Sequence, residues 1–127
     1  MTNSSADYRN TLGIFPTGVT VITTLDQQGV PAGFTASSFN SVSLEPRLVL
    51  WSLDKSSSLI PVFEKADNYA IHFLSKDQVD ISNTFASSVQ DRFADAAWNL
   101  SDTQLPILSD CAAHLECIAR HCYEGGD

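Results

Sequence analysis

Residues 33–44 read GFTASSFNSVSL, which sets the hydroxyls of Thr35, Ser37, Ser38, Ser41 and Ser43 and the amide of Asn40 beside Phe34, Phe39, Val42 and Leu44. Small hydroxyls offer donors and acceptors without filling a pocket. Held in apolar surroundings, such a row suits a flat heterocycle whose edge carries several hydrogen-bonding groups. A Ser-rich surface loop has the same composition, so both readings stand on the residues alone.

A second polar cluster, Asp54, Lys55, Ser56, Ser57 and Ser58, leads into residues 59–65. That segment is expected to be a short helix, with Ser57 or Ser58 capping its first turn and Pro61 tolerated near its start. The start of a helix presents free N–H groups and a partial positive charge. Lys55 and the serines beside it would hold a phosphate there. The competing reading makes the serines ordinary caps and Lys55 a solvated surface charge.

His72 lies in residues 68–74 (NYAIHFL), where alternation puts Tyr69, Ile71 and Phe73 on one face and Ala70, His72 and Leu74 on the other. A single histidine among aliphatic residues is expected to be structural and hydrogen-bonded rather than catalytic. Cys111, His114, Cys117, His121 and Cys122 superficially suggest zinc. On a strand, however, His114 and Cys122 face one way and Cys117 and His121 the other, and the usual C-x2-C pairs are absent, so no metal site is expected. G-x-S-x-G, H-E-x-x-H, P-loop and G-x-G-x-x-G patterns are also missing. Hydrolase and dinucleotide-fold readings lose their usual support.

The elements that must position these residues follow from hydrophobic patterning. Ser4 and Ser5 are candidate N-caps for an amphipathic helix carrying Tyr8, Leu12 and Phe15, ended by Pro16. Residues 17–25 read as a strand, residues 26–29 as a hairpin turn and residues 30–35 as the returning antiparallel strand. Residues 47–53, after Glu45-Pro46, form an almost unbroken apolar run and are expected to be a central strand covered on both faces. Ser75 and Gln78 match a capping box opening a helix through Phe85 or Ala86, with Val79, Ile81 and Phe85 among its apolar positions. Residues 87–98 suggest a weaker helical turn, residues 105–108 an apolar connection and residues 112–124 a final strand.

The 127 residues, 43% of them hydrophobic, predict one domain with one core. Fifteen acidic against seven basic residues, a net charge of −8, argue against a nucleic-acid partner. No basic run precedes an apolar stretch at the N-terminus, and no window approaches roughly 18 apolar residues, so neither a signal peptide nor a membrane span is expected. Three cysteines, an odd number, suit reduced thiols in the cytoplasm.

Several ordered segments together resemble the flavin reductase-like family, whose fold is the FMN-binding split barrel. They are residues 15–21 (FPTGVTV), 33–39 (GFTASSF), 41–46 (SVSLEP), 48–50 (LVL) and 55–58 (KSSS), then Phe85-Ala86, Arg92-Phe93, residues 105–108 (LPIL) and Glu116-Cys117. The resemblance covers nearly the whole chain. Its nearest look-alikes are the reductase components of two-component flavin-dependent monooxygenases, and it implies a mainly β fold with peripheral helices, an antiparallel split β-barrel.

The same resemblance implies an NAD(P)H-dependent flavin reductase, a homodimer that passes reduced FMN or FAD to a monooxygenase component, with NADH or NADPH as co-substrate. Thr35, Ala36, Ser37 and Ser38 would contact the isoalloxazine edge. Lys55, Ser56, Ser57 and Ser58 would hold the ribityl phosphate end, with Ser41, Ser52, Arg92 and Phe93 also near the flavin. No acid or base is assigned, because hydride passes directly between the two rings. Relatives continue beyond a Gly-Asp-His motif that this sequence leaves at Asp127, so the domain at 1–127 is expected to be incomplete at its C-terminal end, with barrel strands and the histidine missing. A flavin-binding module without turnover, or a split barrel holding haem or a deazaflavin, are the rival expectations.

Overall fold

Strand β1 (Thr20–Leu25, TVITTL) lies at the centre of the molecule, with five of its six residues buried. The computed structural model describes residues 4–127. β1 pairs on one side with β2 (Pro31–Ala36) and on the other with β5 (Asn68–Phe73), which in turn pairs with β8 (Ala113–Ile118), all antiparallel. Two ribbons complete the mainly β architecture: β3 (Asn40–Leu44) with β4 (Arg47–Leu50), and β6 (Trp98–Leu100) with β7 (Pro106–Leu108). Three helices lie around them: α1 (Ser5–Gly13), α2 (Ile60–Lys65) and α3 (Val79–Ala86).

Alternation along β1 divides the core in two. Val21 joins Phe85 of α3, Phe93 and Leu108 in one cluster. Ile22 joins Phe34, Ala36 and Ile71 in another, against which Phe39, Trp51, Leu53, Leu59 and Phe63 of α2 pack. β1 is thus covered on both faces, whereas β8 is largely exposed. The buried threonines of β1 are satisfied within: Thr20 donates to the Ala36 carbonyl at 2.9 Å, Thr23 to that of Pro106 at 2.7 Å and Thr24 to that of Asn68 at 2.9 Å. Among the described residues no buried side-chain nitrogen or oxygen lacks a partner.

Several sequence expectations need correction. The run after Arg47 is not the central strand: β4 ends at Leu50, pairs only with β3 and is partly exposed. β1 takes the centre because each of its threonine hydroxyls finds a carbonyl, so its polarity does not exclude it from the core. The apolar connection at 105–108 is strand β7 over Pro106–Leu108, and the last strand stops at Ile118 rather than continuing to residue 124. Gln78 does accept from the Ser75 N–H at 2.8 Å, but this bond closes a turn before α3, which begins at Val79, itself exposed. The expected weak turn occurs around Arg92. The first helix is capped by Ser4, which accepts from the Asp7 N–H at 3.0 Å, and it ends at Gly13, before Pro16.

Candidate functional site

The cradle begins on β2, whose residues alternate between the two core clusters. Gly33 lies where β2 passes closest to α3: a side-chain carbon there would stand 3.0 Å from the Ile22 carbonyl oxygen and 3.1 Å from the Phe85 ring. Phe34 and Ala36 turn to the other face. Beyond Ala36 the chain leaves the sheet, and Ser37 is exposed while Ser38 is half-buried.

Ser38 then ties the cradle to the second segment. Its Oγ accepts from the Ser52 N–H at 2.9 Å and makes a longer 3.3 Å bond to the Ser52 carbonyl. Trp51, just before Ser52, packs 5.5 Å from Phe34, 5.4 Å from Phe63 and 5.1 Å from Tyr69 between ring centres. The edge-on arrangement is the favoured one for aromatic pairs. These rings belong to the cluster around Ile22 and Ile71. Ala36 and Phe39 of the cradle belong to the same apolar cluster as Leu53 and Leu59, which flank Lys55, Ser56, Ser57 and Ser58.

In that second segment Lys55, Ser56 and Ser58 are exposed and Ser57 is half-buried. Ser57 Oγ accepts from the Leu59 N–H at 3.1 Å. Neither Ser57 nor Ser58 caps α2; the cap position is Leu59, with no side-chain bond, because the turn at Ser57 stops one residue short of the helix. The Lys55 ammonium stands 3.7 Å from the Glu124 carboxylate, and the Lys55 backbone N–H donates to the Asp127 carbonyl at 2.8 Å.

The remaining candidates are placed differently. Ser41 lies exposed on β3, opposite Val49. Thr35 faces α3, donating to the Ser82 carbonyl at 2.6 Å. Arg92 is half-buried and donates to the carbonyls of Gly33 at 2.8 Å and Ser87 at 2.7 Å. Phe93 is in the core, 4.9 Å from Phe85 between ring centres. Ala36, Ser38 and Ser52 therefore adjoin the aromatic layer with the Lys55 segment, whereas Thr35, Arg92 and Phe93 belong to the α3 side of β2. A hollow of about 320 Å³ between Gly18, Val19, Thr20, Phe39, Phe73 and Leu74 meets the cradle at Phe39. A second, of about 300 Å³, lies at the far end of β1 near Leu25, Lys65 and Gln104. Neither is lined by residues of both clusters.

His72 carries no free nitrogen. Leu108 N–H donates to Nε2 at 3.0 Å, so Nδ1 bears the proton and donates to the Val21 carbonyl at 2.9 Å. Burial pushes its pKa below the ordinary 6.5, partly opposed by the bond to Val21 and reinforced by nearby His114. The ring is a neutral pin joining β1, β5 and β7. Sequence reasoning missed the Trp51, Phe63 and Tyr69 layer, although Trp51 inside an apolar run next to Ser52 was its visible signal.

The flavin reductase like domain family matches residues 12–127 of this chain. The reductase component of the flavin-dependent trigonelline monooxygenase of Acinetobacter baylyi is 42% identical over 125 residues, 98% of this chain and 40% of that protein. An FMN reductase (NADH) of Agrobacterium fabrum is 44% identical over 124 residues, again 98% of this chain but 70% of the relative. Among solved structures, an NADH:FAD oxidoreductase of Streptomyces globisporus, in complex with NAD and FAD fragments, superimposes with a TM-score of 0.89. It is 36% identical, and the match covers 96% of this chain and 73% of that one.

Proposed function

The chain belongs to the flavin reductase like domain family, and from that membership we propose that it reduces FMN or FAD with NADH or NADPH and supplies the reduced flavin to a partner monooxygenase. The observation that supports the reading is the Ser38–Ser52 pair of bonds, which ties the cradle to the chain two residues before Asp54, with Ala36, Leu53 and Leu59 in one apolar cluster. The residues fit a flavin. Ser37, Ser52, Ser56, Ser58 and Lys55 are exposed, offering hydroxyls and an ammonium to polar edges.

In this reading residues 36–38 meet the isoalloxazine edge, with Ser41 and Ser52 beside them, and residues 55–58 hold the phosphate end, while the Thr35 hydroxyl is engaged by the Ser82 carbonyl on the α3 side. Lys55 exchanges its exposed pairing with Glu124 for the phosphate, an exchange that costs little because surface ion pairs are weak. Arg92 and Phe93 support the cradle from the α3 side. When bound, the flavin supplies the hydride-accepting chemistry. The chain's own part is to orient the rings and shield them from water, with no side chain acting as acid or base.

The relatives' names support a monooxygenase partner. Three free thiols, Cys111, Cys117 and Cys122, fit a reducing cytoplasm. Among the described residues no helix is long and apolar enough to cross a membrane. The exposed apolar residues of the first helix fit a homodimer. Replacing Ser37 by Leu puts a bulky side chain in the cradle without touching the core. It is expected to abolish FMN binding in a fluorescence titration while the melting temperature stays near that of the parent. Unchanged FMN affinity would remove the cradle assignment.

A further inference from the structure

β2 is one of the two outer strands of the four-stranded sheet, so among the described residues one edge of it has no strand beside it. Two groups attach that edge to α3 and its exit. Thr35 donates to Ser82 within α3 at 2.6 Å, and Arg92 donates through Nη1 to Gly33 at 2.8 Å and through Nη2 to Ser87, at the end of α3, at 2.7 Å. The planar fork of a guanidinium can hold two carbonyls in fixed relation, which a lysine ammonium cannot do. Between these ties the missing side chain of Gly33 lets Phe85 press against the strand. The outer edge of β2 is thus tied to the α3 side just before the strand ends at Ala36.

Ser37 stands four residues beyond Gly33, roughly 13 Å along an extended chain. β2 stays paired with β1 as far as Ala36, so the α3-side ties act on its unpaired edge, and a shift of about 1 Å passed along that edge to Ser37 would spoil a hydrogen bond or a ring alignment. We propose that Arg92 is a positioning residue for the flavin cradle: it clamps the Gly33 carbonyl to the Ser87 carbonyl, fixes where Ser37 and Ser38 stand, and does not touch the flavin. This rests on the flavin reading above and assigns Arg92 a role within it. One bond runs to a carbonyl at the outer edge of β2 and the other to a carbonyl at the exit of α3, so both ends of the guanidinium fork are occupied by backbone on the α3 side.

The test compares riboflavin, which has no phosphate, with FMN, titrating each into the parent protein, Arg92→Met and Arg92→Lys while following flavin fluorescence. Melting temperatures are measured alongside. Positioning predicts that both variants fold and that each loses affinity for riboflavin and for FMN by the same factor, on the order of tenfold, with lysine failing to rescue. A loss confined to FMN and restored by lysine would make Arg92 a phosphate contact and overturn the proposal. A lowered melting temperature with both affinities unchanged, or an Arg92→Lys protein that does not fold, would make it a purely structural residue and overturn it equally. If the parent protein bound neither flavin, the flavin reading itself would fall.

Discussion

His72 shows how a residue type associated with chemistry can serve structure alone. Its ring is fully buried and both nitrogens are engaged, so a proton added at Nε2 would break the bond from Leu108 and leave a buried cation. The folded-state pKa lies below the unfolded value of 6.5. Below 6.5 the unfolded chain therefore binds the proton more readily than the folded one, and stability is lost as the pH falls from that value toward the folded pKa. Above 6.5 the contribution is complete. The melting temperature of the parent should drop between pH 7.5 and 5.5, and that of His72→Gln should drop less. Equal slopes would show that the ring does not titrate with unfolding. Truncation to alanine would strand the Val21 carbonyl and the Leu108 N–H, at about 1–3 kcal/mol for each group.

At the scale of elements, α1 stands out. Its sequence carries a cap at Ser4 and an i, i+4 pair in Tyr8 and Leu12, yet both side chains are more than half exposed, as is Phe15 just beyond it. Nine residues are too few to make a stable isolated helix in water. A second copy of the chain is the cover that fits the homodimer reading. Sedimentation should give twice the mass of one chain, and Leu12→Asp with Phe15→Asp should return it to a single copy. A parent protein that sediments as one chain would count against the dimer.

The same elements explain what could be read in advance. Caps, the turn at Asp26 and the alternation of β5 are local patterns, and they placed α1, the β1–β2 hairpin and β5 to within a few residues. The centre of the sheet was not legible, because the apolar run after Arg47 outweighed TVITTL until the carbonyl partners of Thr20, Thr23 and Thr24 were known. Within the candidate site the residue types were visible, but not their faces. Thr35 and Arg92 engage backbone carbonyls on the α3 side, and Phe93 fills the core, through contacts that join distant parts of the sequence. Periodicity carries no information about such pairings.

For the whole molecule, the sheet, an apolar cluster holding Ala36, Leu53 and Leu59, and the Ser38–Ser52 bridge amount to a support that ties the cradle to the chain entering residues 55–58. Membership of the flavin reductase like domain family gives that support its chemical meaning. The chain spans 40% of one relative and 70% of another, so its activity must be measured on these 127 residues themselves. The most direct measurement is anaerobic stopped-flow mixing of the FMN-loaded protein with NADH and, separately, NADPH, followed by flavin absorbance. The account predicts that at least one nicotinamide bleaches the oxidised flavin band in a reaction that depends on the protein. FMN that stays bound and oxidised with both would contradict it and leave a flavin-binding module without turnover.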